Sequence, residues 1–428
     1  MTNCLRNVLV FIILNLIHFI SCQNVTYQNI PSPRYEQTSS LIGAKFYFFG
    51  GRMSDLYSSN EVWYLDLSIP FFNAKSPLWH KGVGMPIGYD SGTSCVSPID
   101  NSSIFLIGGE MFVPNTNTPN FTSTVYIFNS TTSQWSMHNI ISFNSSFTTR
   151  KEMQAIVDNN GKIFIFGGSS YDTINTIFYG DMNILDINTM TWSTPAQDFL
   201  IHTYVDYSAT LLANGNIVYI GGRYGSNSSV SSASMNQIQV FDTKNDSWSI
   251  KMAYGDNVGP RDGHSAVLTD DEHIVIYGGS VITNSGNLNV LSDVIVLDTK
   301  AWVWDIPIVI KTNAPPPLTF YSTTLYKNYM IIAFGLISST PNITLNNNIY
   351  ILDTQNFSWV TTINIPTVAN GSTSTVLYIG IAIGVGGVIL AVLLFTIIFL
   401  FCKKHNELNS AIPTPGDTSV SKKPIPTP

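Results

Sequence analysis

The chain has 428 residues, of which 44% are hydrophobic and only 11% charged, and its formal net charge is −7. This length and composition allow a sizeable core in one to three domains, together with a membrane segment. The acidic balance gives no reason to expect a nucleic acid as partner, because proteins that bind nucleic acids usually present basic surfaces.

Residues 1–22 have the pattern of a secretory signal peptide. Arg6 precedes a mainly apolar run at 8–20, and two small residues then provide a cleavage point before Gln23. The alternative is an uncleaved N-terminal anchor. Two polar residues interrupt the apolar run, which is also short for a membrane span, so cleavage is the favoured prediction.

A repeated unit occupies most of the region 23–365. It is clearest at 162–168, where β-branched and aromatic residues are followed by two glycines, which predicts a strand and then a turn that needs glycine. In a degenerate sixth copy, 330–336, Leu336 stands where the second glycine is expected. The other five copies end in the doublets Gly50-Gly51, Gly108-Gly109, Gly167-Gly168, Gly221-Gly222 and Gly278-Gly279.

Each repeat continues with a second apolar run that closes on Asp or Asn, and then with a tryptophan. The second runs lie at 62–66, 125–129, 182–186, 238–242, 294–298 and 349–353. The tryptophans, 55 to 57 residues apart, are Trp79, Trp135, Trp192, Trp248, Trp304 and Trp359. Arg34, Arg150 and Arg261 precede the second glycine of a doublet by 17 or 18 residues, which leaves room for one more strand. A repeat of this length without a helical pattern therefore predicts four strands per unit.

These six units in register resemble the kelch repeat over about four fifths of the chain. The resemblance implies an all-β fold, a six-bladed β-propeller around a central channel, with each tryptophan buried between adjacent blades. The chain departs from the family pattern at Asn129, which replaces the usual Asp, and the form Arg-Asp-Gly-His at 261–264 is missing from repeats two, four and six. Residues 25–30 could add an outer strand to the last blade, a role that 359–363 could fill alone.

Sequons for N-glycosylation all lie between the signal peptide and the next hydrophobic segment. Two of them fall in the predicted turn before an outer strand, where a glycan would be exposed. We expect glycans at some or all of Asn24, Asn101, Asn120, Asn129, Asn144, Asn227, Asn245, Asn342, Asn356 and Asn370.

Residues 376–402 are almost wholly apolar and carry no charge, which predicts a transmembrane helix after a short stalk at 366–375. Two lysines follow at once, and positive residues mark the cytoplasmic side. The pattern therefore predicts a type I single-pass protein in the plasma membrane or another membrane of the secretory pathway, with the propeller outside and a disordered tail at 403–428. Gly380 and Gly384 would let two such helices pack closely as a homodimer.

The cysteines and histidines do not indicate an enzyme. Cys95 is the only cysteine between the predicted signal peptide and the membrane segment, so no intramolecular disulfide is available there. Some kelch-type propellers are copper radical oxidases similar to galactose oxidase, which implies a metal site. The histidines are scattered over the repeats without metal-ligand spacing, and we expect neither metal nor cofactor. His264 is assigned to the structural motif.

The segments that follow the glycine doublets are the predicted binding elements. They lie at 52–60, 110–124, 169–180, 223–236 and 280–291, vary in length, and are rich in Ser, Asn and Tyr. Arg52, Tyr57 and Tyr171 are the predicted ligand contacts, offering a charged fork and amphipathic rings. The sequence thus favours an extracellular module for protein or glycan binding, or adhesion; the alternatives are a membrane-tethered copper oxidase and a structural cell-surface protein.

Overall fold

The computed structural model describes residues 30–54, 57–138, 140–142, 147, 150–171, 175–196, 203–226, 229–283, 288–339 and 342–364. The predictions that lie outside these residues are the signal peptide 1–22, the stalk 366–375, the membrane segment 376–402 with Gly380 and Gly384, the tail 403–428, and the sequons at Asn24, Asn144, Asn227 and Asn370. A search of the described residues finds no helix with the length and apolar character that a membrane crossing requires.

The described residues form an all-β structure, as predicted, in which six four-stranded antiparallel sheets follow one another along the chain. We call each sheet a blade. In every blade a turn joins the first two strands, and in blades 2 to 6 a turn also joins the last two; in blade 1 the last two strands are joined by a longer link that contains β6. A short strand pair or single short strand lies between the second strand and the third.

Blade 1 has the order β1-β2-β5-β7, and blade 2 the order β9-β10-β12-β13. The strands of this part of the chain are β1 (Thr38–Ile42), β2 (Lys45–Phe49), β3 (Arg52–Ser54), β4 (Tyr57–Ser58), β5 (Val62–Asp66), β6 (Phe71–Asn73), β7 (Trp79–Lys81), β8 (Gly88–Asp90), β9 (Thr93–Val96), β10 (Ser103–Ile107), β11 (Glu110–Phe112), β12 (Val125–Asn129) and β13 (Gln134–Ser136).

Blade 3 has the order β14-β15-β18-β19, and blade 4 the order β21-β22-β25-β26. Their strands and hairpins are β14 (Ala155–Val157), β15 (Lys162–Phe166), β16 (Ser169–Tyr171), β17 (Thr176–Phe178), β18 (Met182–Asp186), β19 (Thr191–Ser193), β20 (Tyr204–Val205), β21 (Ser208–Leu211), β22 (Asn216–Ile220), β23 (Arg223–Ser226), β24 (Ser229–Ser232), β25 (Gln237–Asp242) and β26 (Ser247–Met252).

Blade 5 has the order β28-β29-β32-β33 with β27 added at its outer edge, and blade 6 the order β35-β36-β39-β40. The remaining strands are β27 (Tyr254–Gly255), β28 (Ser265–Leu268), β29 (His273–Tyr277), β30 (Ser280–Ile282), β31 (Leu288–Val290), β32 (Val294–Asp298), β33 (Val303–Asp305), β34 (Leu318–Thr319), β35 (Ser322–Tyr326), β36 (Tyr329–Ala333), β37 (Leu336–Ser339), β38 (Asn342–Leu345), β39 (Ile349–Asp353), β40 (Ser358–Val360) and β41 (Thr362–Asn364).

The core lies between blades, which explains why the strands are apolar runs and not alternating patterns. In β15, for example, the four residues after Lys162 are all buried, because a neighbouring blade covers each face of the sheet. Buried apolar clusters fill all six interfaces between neighbouring blades, including the one where Phe46 and Phe48 of blade 1 meet Ile331 and Ala333 of blade 6.

The blades follow one another in a cycle. The first strand of every blade contacts the first strands of both neighbours, and β35 of blade 6 contacts β1 of blade 1. The two ends of this region are also fastened at the outside, where β41 pairs antiparallel with β6. This arrangement is consistent with a kelch β-propeller. The fourth strand of blade 6 is β40, Ser358–Val360, from within the same repeat; the alternative segment at 25–30 lies outside the described residues except for residue 30.

The sixth glycine turn is shifted by one residue from the sequence prediction, and the assignment of Leu336 to the second glycine position is wrong. Phe334 and Gly335 have φ angles of 63° and 98°, matching 64° and 96° at Gly50 and Gly51. Leu336 instead begins β37. Phe334 replaces the first glycine because its ring fills the interface between blades 6 and 1, where its centroid lies 5.1 Å from that of Phe48 and 5.4 Å from that of Trp79.

The repeat tryptophans contact the preceding blade as well as their own. The Trp135 ring packs on Phe49, the Trp248 ring on Phe166 and the Trp359 ring on Tyr277, and each of these partners belongs to the preceding blade. Trp304 donates its indole N–H to the Met235 carbonyl at 2.8 Å. Trp192 packs on Phe147 and lies in the cluster that spans blades 2 to 4.

Candidate binding face around the channel mouth

One face of the propeller carries all six hairpins that follow the glycine turns. The sequence predicted loops here, but these segments contain the short strand pairs β3-β4, β8-β11, β16-β17, β23-β24, β30-β31 and β37-β38. In five blades both strands of the pair come from the one segment that follows the glycine turn. In blade 2, β11 pairs instead with β8 of the link from blade 1. We call this side the hairpin face.

Each glycine turn is bonded to the next blade. The N–H of the second turn glycine donates to a carbonyl just before the next blade's first strand, from Gly51 to Tyr89 at 2.8 Å and, closing the cycle, from Gly335 to Arg34 at 2.9 Å. The four bonds between these two run from Gly109 to Arg150, Gly168 to Tyr204, Gly222 to Arg261 and Gly279 to Leu318. The blades therefore approach one another closely on the hairpin face.

Three buried arginines form hydrogen bonds to the glycine turns of blades 1, 3 and 5. Arg34, Arg150 and Arg261 each donate to the carbonyl of the first turn glycine of their own blade, at 2.9, 3.2 and 3.0 Å. Each also pairs with a carboxylate directly before the third strand. These carboxylates belong to Glu61, Asp181 and Asp293. The arginines are at most 2% exposed, so they serve the blades and not a ligand.

A second cycle of backbone hydrogen bonds surrounds the channel at the same end. It joins one residue per blade, two or three residues before the first strand. We call it the mouth ring; its members are Glu36, Ser91, Glu152, Asp206, Gly263 and Phe320, and its six N–H to carbonyl distances are 2.7 to 3.3 Å. All six residues have positive φ between 51° and 60°. The ring uses its own N–H and carbonyl groups, so side chains determine the chemistry of the mouth.

The side chains around the mouth are mainly acidic. Arg52 is bonded to Asp90 and Glu110, and Arg223 to Asp206, with Asp262 at 3.7 Å. Lys151 binds Glu110 and lies 3.9 Å from Glu152. The mouth thus holds three basic groups and the six carboxylates Glu36, Asp90, Glu110, Glu152, Asp206 and Asp262.

Burial shifts the titration of these carboxylates. Burial, followed by the nearby Asp90, raises the pKa of Glu36 from 4.5 to about 8. Burial likewise raises the pKa of Asp90, Glu152, Asp206 and Asp262. These buried acids therefore keep their protons to higher pH than exposed carboxyl groups do.

A cavity of about 200 Å³ lies inside the mouth ring. Its wall includes Gln37 and His264, which are 7% and 5% exposed, beside the carboxylates of the ring. The His264 ring bonds Ser208 at 3.1 Å, and burial lowers the pKa of His264 to about 3, so the ring is neutral at physiological pH. His264 thus has the structural contact that the sequence suggested, between blades 4 and 5.

The structure places two of the three predicted ligand contacts in one hairpin, Arg52 in β3 and Tyr57 in its partner β4, whereas Tyr171 lies in the hairpin of blade 3. Arg52 lies at the mouth, but two carboxylates already hold its guanidinium. Tyr57 is half-buried in β4, whereas Tyr171 ends β16 and is 66% exposed. Among the described residues, no hydrogen bond or ring contact joins any two of the three.

The described sequons lie on both sides of the propeller. Asn101, Asn245 and Asn356 are exposed, in turns on the side opposite the hairpins, and Asn129 ends β12 on that side. Asn120 and Asn342 lie in the hairpin segments of blades 2 and 6.

The sequence predicts no metal site and no catalytic role for the cysteine thiol in the part of the chain that the structure describes. No group of three or more His, Cys, Asp or Glu there is placed to hold a metal ion. Cys95 is buried, and burial raises the pKa of its thiol to about 12, which keeps it protonated.

Comparison with known proteins places the fold in a family. The model of the KLHDC2/KLHL20/DRC7 Kelch-repeats domain matches residues 5–222 and 206–396, which confirms the prediction of a kelch-repeat protein. The match begins within the predicted signal peptide and ends within the predicted membrane segment.

Curated proteins give similar matches at low identity. Acyl-CoA-binding domain-containing protein 4 of Arabidopsis thaliana is 26% identical over 46% of this chain and 28% of its own length. Acyl-CoA-binding domain-containing protein 5 of the same plant is 23% identical over 71% of this chain and 44% of its own length. Kelch domain-containing protein 3 of Rattus norvegicus is 29% identical over 50% of this chain and 56% of its own length. The chain thus spans about half or less of these relatives.

Proposed function

The chain belongs to the Kelch-repeat family that this domain model describes, and from that premise we propose that its six-bladed propeller is a module that binds protein partners through the hairpin face. The observation that carries the proposal is the set of exposed apolar side chains on this face. Large apolar residues on short hairpins around a rigid scaffold are typical of a binding surface.

The exposed apolar residues are spread over four adjacent blades. We call them the apolar rim; they are Val113, Phe121, Tyr171, Ile177, Val230 and Ile282, each between 38% and 66% exposed. Tyr171, Ile177, Val230 and Ile282 lie in strands that the hairpins pair through the backbone, so these side chains can be presented without a large ordering cost. An apolar rim around an acidic centre favours a protein partner over a glycan, since sugars expose mainly hydroxyl groups.

The location of the module follows from the sequence pattern. We propose a type I single-pass membrane glycoprotein, with the propeller outside the cell or in the lumen of the secretory pathway. Its supports are the apolar segment 376–402, the lysines that follow it, and sequons that lie only upstream of it. The exposed positions of Asn101, Asn245 and Asn356 suit glycan attachment.

Site-specific photo-crosslinking tests the binding face. A photoreactive amino acid placed at Tyr171 or Val230 of the full chain, expressed on cells, should give adducts with one defined partner protein. The matched control places the photoreactive amino acid at Ile308, which is 97% exposed but lies on the link between blades 5 and 6. This control should give no adduct. The double change Tyr171→Ala and Ile177→Ala should reduce recovery of that partner, whereas Ile308→Ala should not.

The opposite result has a clear meaning. Adducts that form from Ile308 but not from the hairpins would place the binding surface on the outer rim. Adducts from none of the positions would favour a structural cell-surface protein without a defined ligand.

A further inference from the structure

The mouth ring places three carboxylates around one small opening. Glu36, Glu152 and Asp206 occupy three of its six positions, all with positive φ. Glycine is the residue of least cost in this conformation, and blade 5 does use glycine there, at Gly263. The ring therefore tolerates acidic side chains at positions where the backbone alone would favour glycine.

The basic groups near the ring are already shared among more acids than they can neutralise. Arg52, Lys151 and Arg223 each lie within 4 Å of two carboxylates. Glu36 has no ion pair among the described residues; its Oε2 accepts a hydrogen bond from the Ser91 hydroxyl at 2.9 Å. The described residues of the mouth include six carboxyl groups but three bases, and in the free protein the burial of Glu36 keeps a proton on that side chain. A bound cation would supply the charge that lets the remaining acids ionise.

Two further side chains of the same cavity wall have hydrogen-bonding atoms without a partner. Gln37 Oε1 accepts no hydrogen bond, although its amide nitrogen donates to Ser322 at 2.8 Å. His264 Nδ1 also has none, and because the ring is neutral and bonds Ser208 and the Ile220 carbonyl, this nitrogen is left as an acceptor. Both side chains are more than nine-tenths buried, where an unused polar atom is costly.

In the wall of the cavity itself, the unpartnered atoms Gln37 Oε1 and His264 Nδ1 are thus acceptors, and Glu36, Glu152 and Asp206 add carboxylate oxygens. A ligand that satisfies them carries positive charge and several N–H donors, which is the chemistry of an ammonium or a guanidinium. The cavity of about 200 Å³ is large enough for one such side chain and too small for a folded element. The apolar rim would then contact the partner residues on either side of that basic side chain.

We propose that the channel mouth receives a lysine or arginine side chain from a protein partner that lies across the hairpin face. This inference rests on the proposed function and adds the chemical class of the partner: a basic residue flanked by apolar ones. Glu36 and Glu152 hold the cation, with Glu36 releasing its proton to solvent as the cation binds, and the rim contacts the neighbours of the basic residue.

A random twelve-residue peptide library, selected against the purified full chain, tests the proposal. Selected peptides should carry Lys or Arg at one fixed position with apolar residues beside it. One selected peptide is then measured with wild type, with E36Q, with E152Q and with the double variant. Binding should weaken at least about tenfold in the double variant. Changing the basic residue of the peptide to Gln should weaken binding to wild type similarly and change binding to the double variant little.

Controls separate charge loss from misfolding and from general electrostatics. Asp271→Asn removes an exposed carboxylate on the opposite face, 73% exposed, and should leave the affinity unchanged. Gln is nearly isosteric with Glu, and the thermal midpoint of each single variant shows whether the ring has kept its fold. If the double variant does not fold, the two single variants still give the comparison.

The outcomes distinguish this inference from the proposed function. Selected peptides without a basic residue, or affinities that E36Q and E152Q leave unchanged, overturn the cation site. In that case a loss of binding in the Tyr171→Ala and Ile177→Ala variant would still support the hairpin face. If the library yields no binder at all, both proposals fail.

Discussion

Replacing Gly50 by alanine should destabilise the protein far more than the same change at Gly43. Both glycines have similar positive φ, 64° and 57°, so an alanine costs about 1 kcal/mol or slightly more at either position. A Cβ at Gly50 would lie 2.1 Å from the Tyr89 carbonyl oxygen of the next blade, whereas a Cβ at Gly43 meets nothing within 4 Å. The pair therefore isolates the close approach of blades 1 and 2.

The size of the difference in stability follows from the kind of atom that the new Cβ would contact. Backbone of another blade cannot move aside like the end of a side chain, so we add about 3 kcal/mol for overpacking at Gly50. The loss of glycine freedom in the unfolded chain offsets about 0.5–1 kcal/mol in both variants. Gly50→Ala should thus cost about 3 kcal/mol and Gly43→Ala close to zero.

Urea unfolding followed by tryptophan fluorescence measures this difference, because the repeat tryptophans lie at the blade interfaces. We expect a clearly lower midpoint for Gly50→Ala only. Equal midpoints for the two variants would refute the close contact between the glycine turn and Tyr89.

The remaining predictions concern packing, titration and topology. Phe334→Ala should lower the free energy of unfolding in urea by about 3–5 kcal/mol, because it empties the interface with Phe48. Phe121→Ala, at a 41% exposed position, should lower it little, and equal effects would contradict the corrected glycine turn. Thermal stability should fall as pH rises from about 4.5 to about 8, because unfolding releases the proton that folded Glu36 retains in this window. E36Q should flatten this dependence of the thermal midpoint on pH, and an unchanged slope would show that Glu36 does not titrate there. Protease added to intact cells should remove the propeller and spare a tag placed after residues 376–402, and glycosidase should shift only the upstream part; a protected propeller would reverse the proposed topology.

Much of the blade architecture could be predicted from the sequence. The runs at 62–66 and 294–298 are strands with those bounds, because a strand covered on both faces must be apolar along its length. The sequence does not reveal the shift of the sixth turn, because a phenylalanine at positive φ is rare and the pattern aligns Gly335 with the first glycine of a pair. The packing of the Phe334 ring against Phe48 and Trp79 explains why a phenylalanine is found there.

The mouth ring is not visible in the sequence. Its members share a backbone conformation and a place before the first strand, but they include acids, a serine, a glycine and a phenylalanine, so no residue pattern marks them. By contrast, Asp181 and Asp293 stand directly before a predicted strand in repeats that contain the arginine, and this spacing could have identified them as its partners. The prediction that Arg52 contacts a ligand rests on its charge and its place after a glycine doublet, and it does not include Asp90 and Glu110, which are distant in sequence.

Hydrogen exchange of the full chain, with and without a selected basic peptide, tests the central claim most directly. We predict protection of amides in β16-β17, β23-β24 and β30-β31 and around the mouth ring, with the turns between first and second strands unaffected. Protection confined to those turns, on the opposite side of the propeller, would contradict the claim that the hairpin face binds the partner.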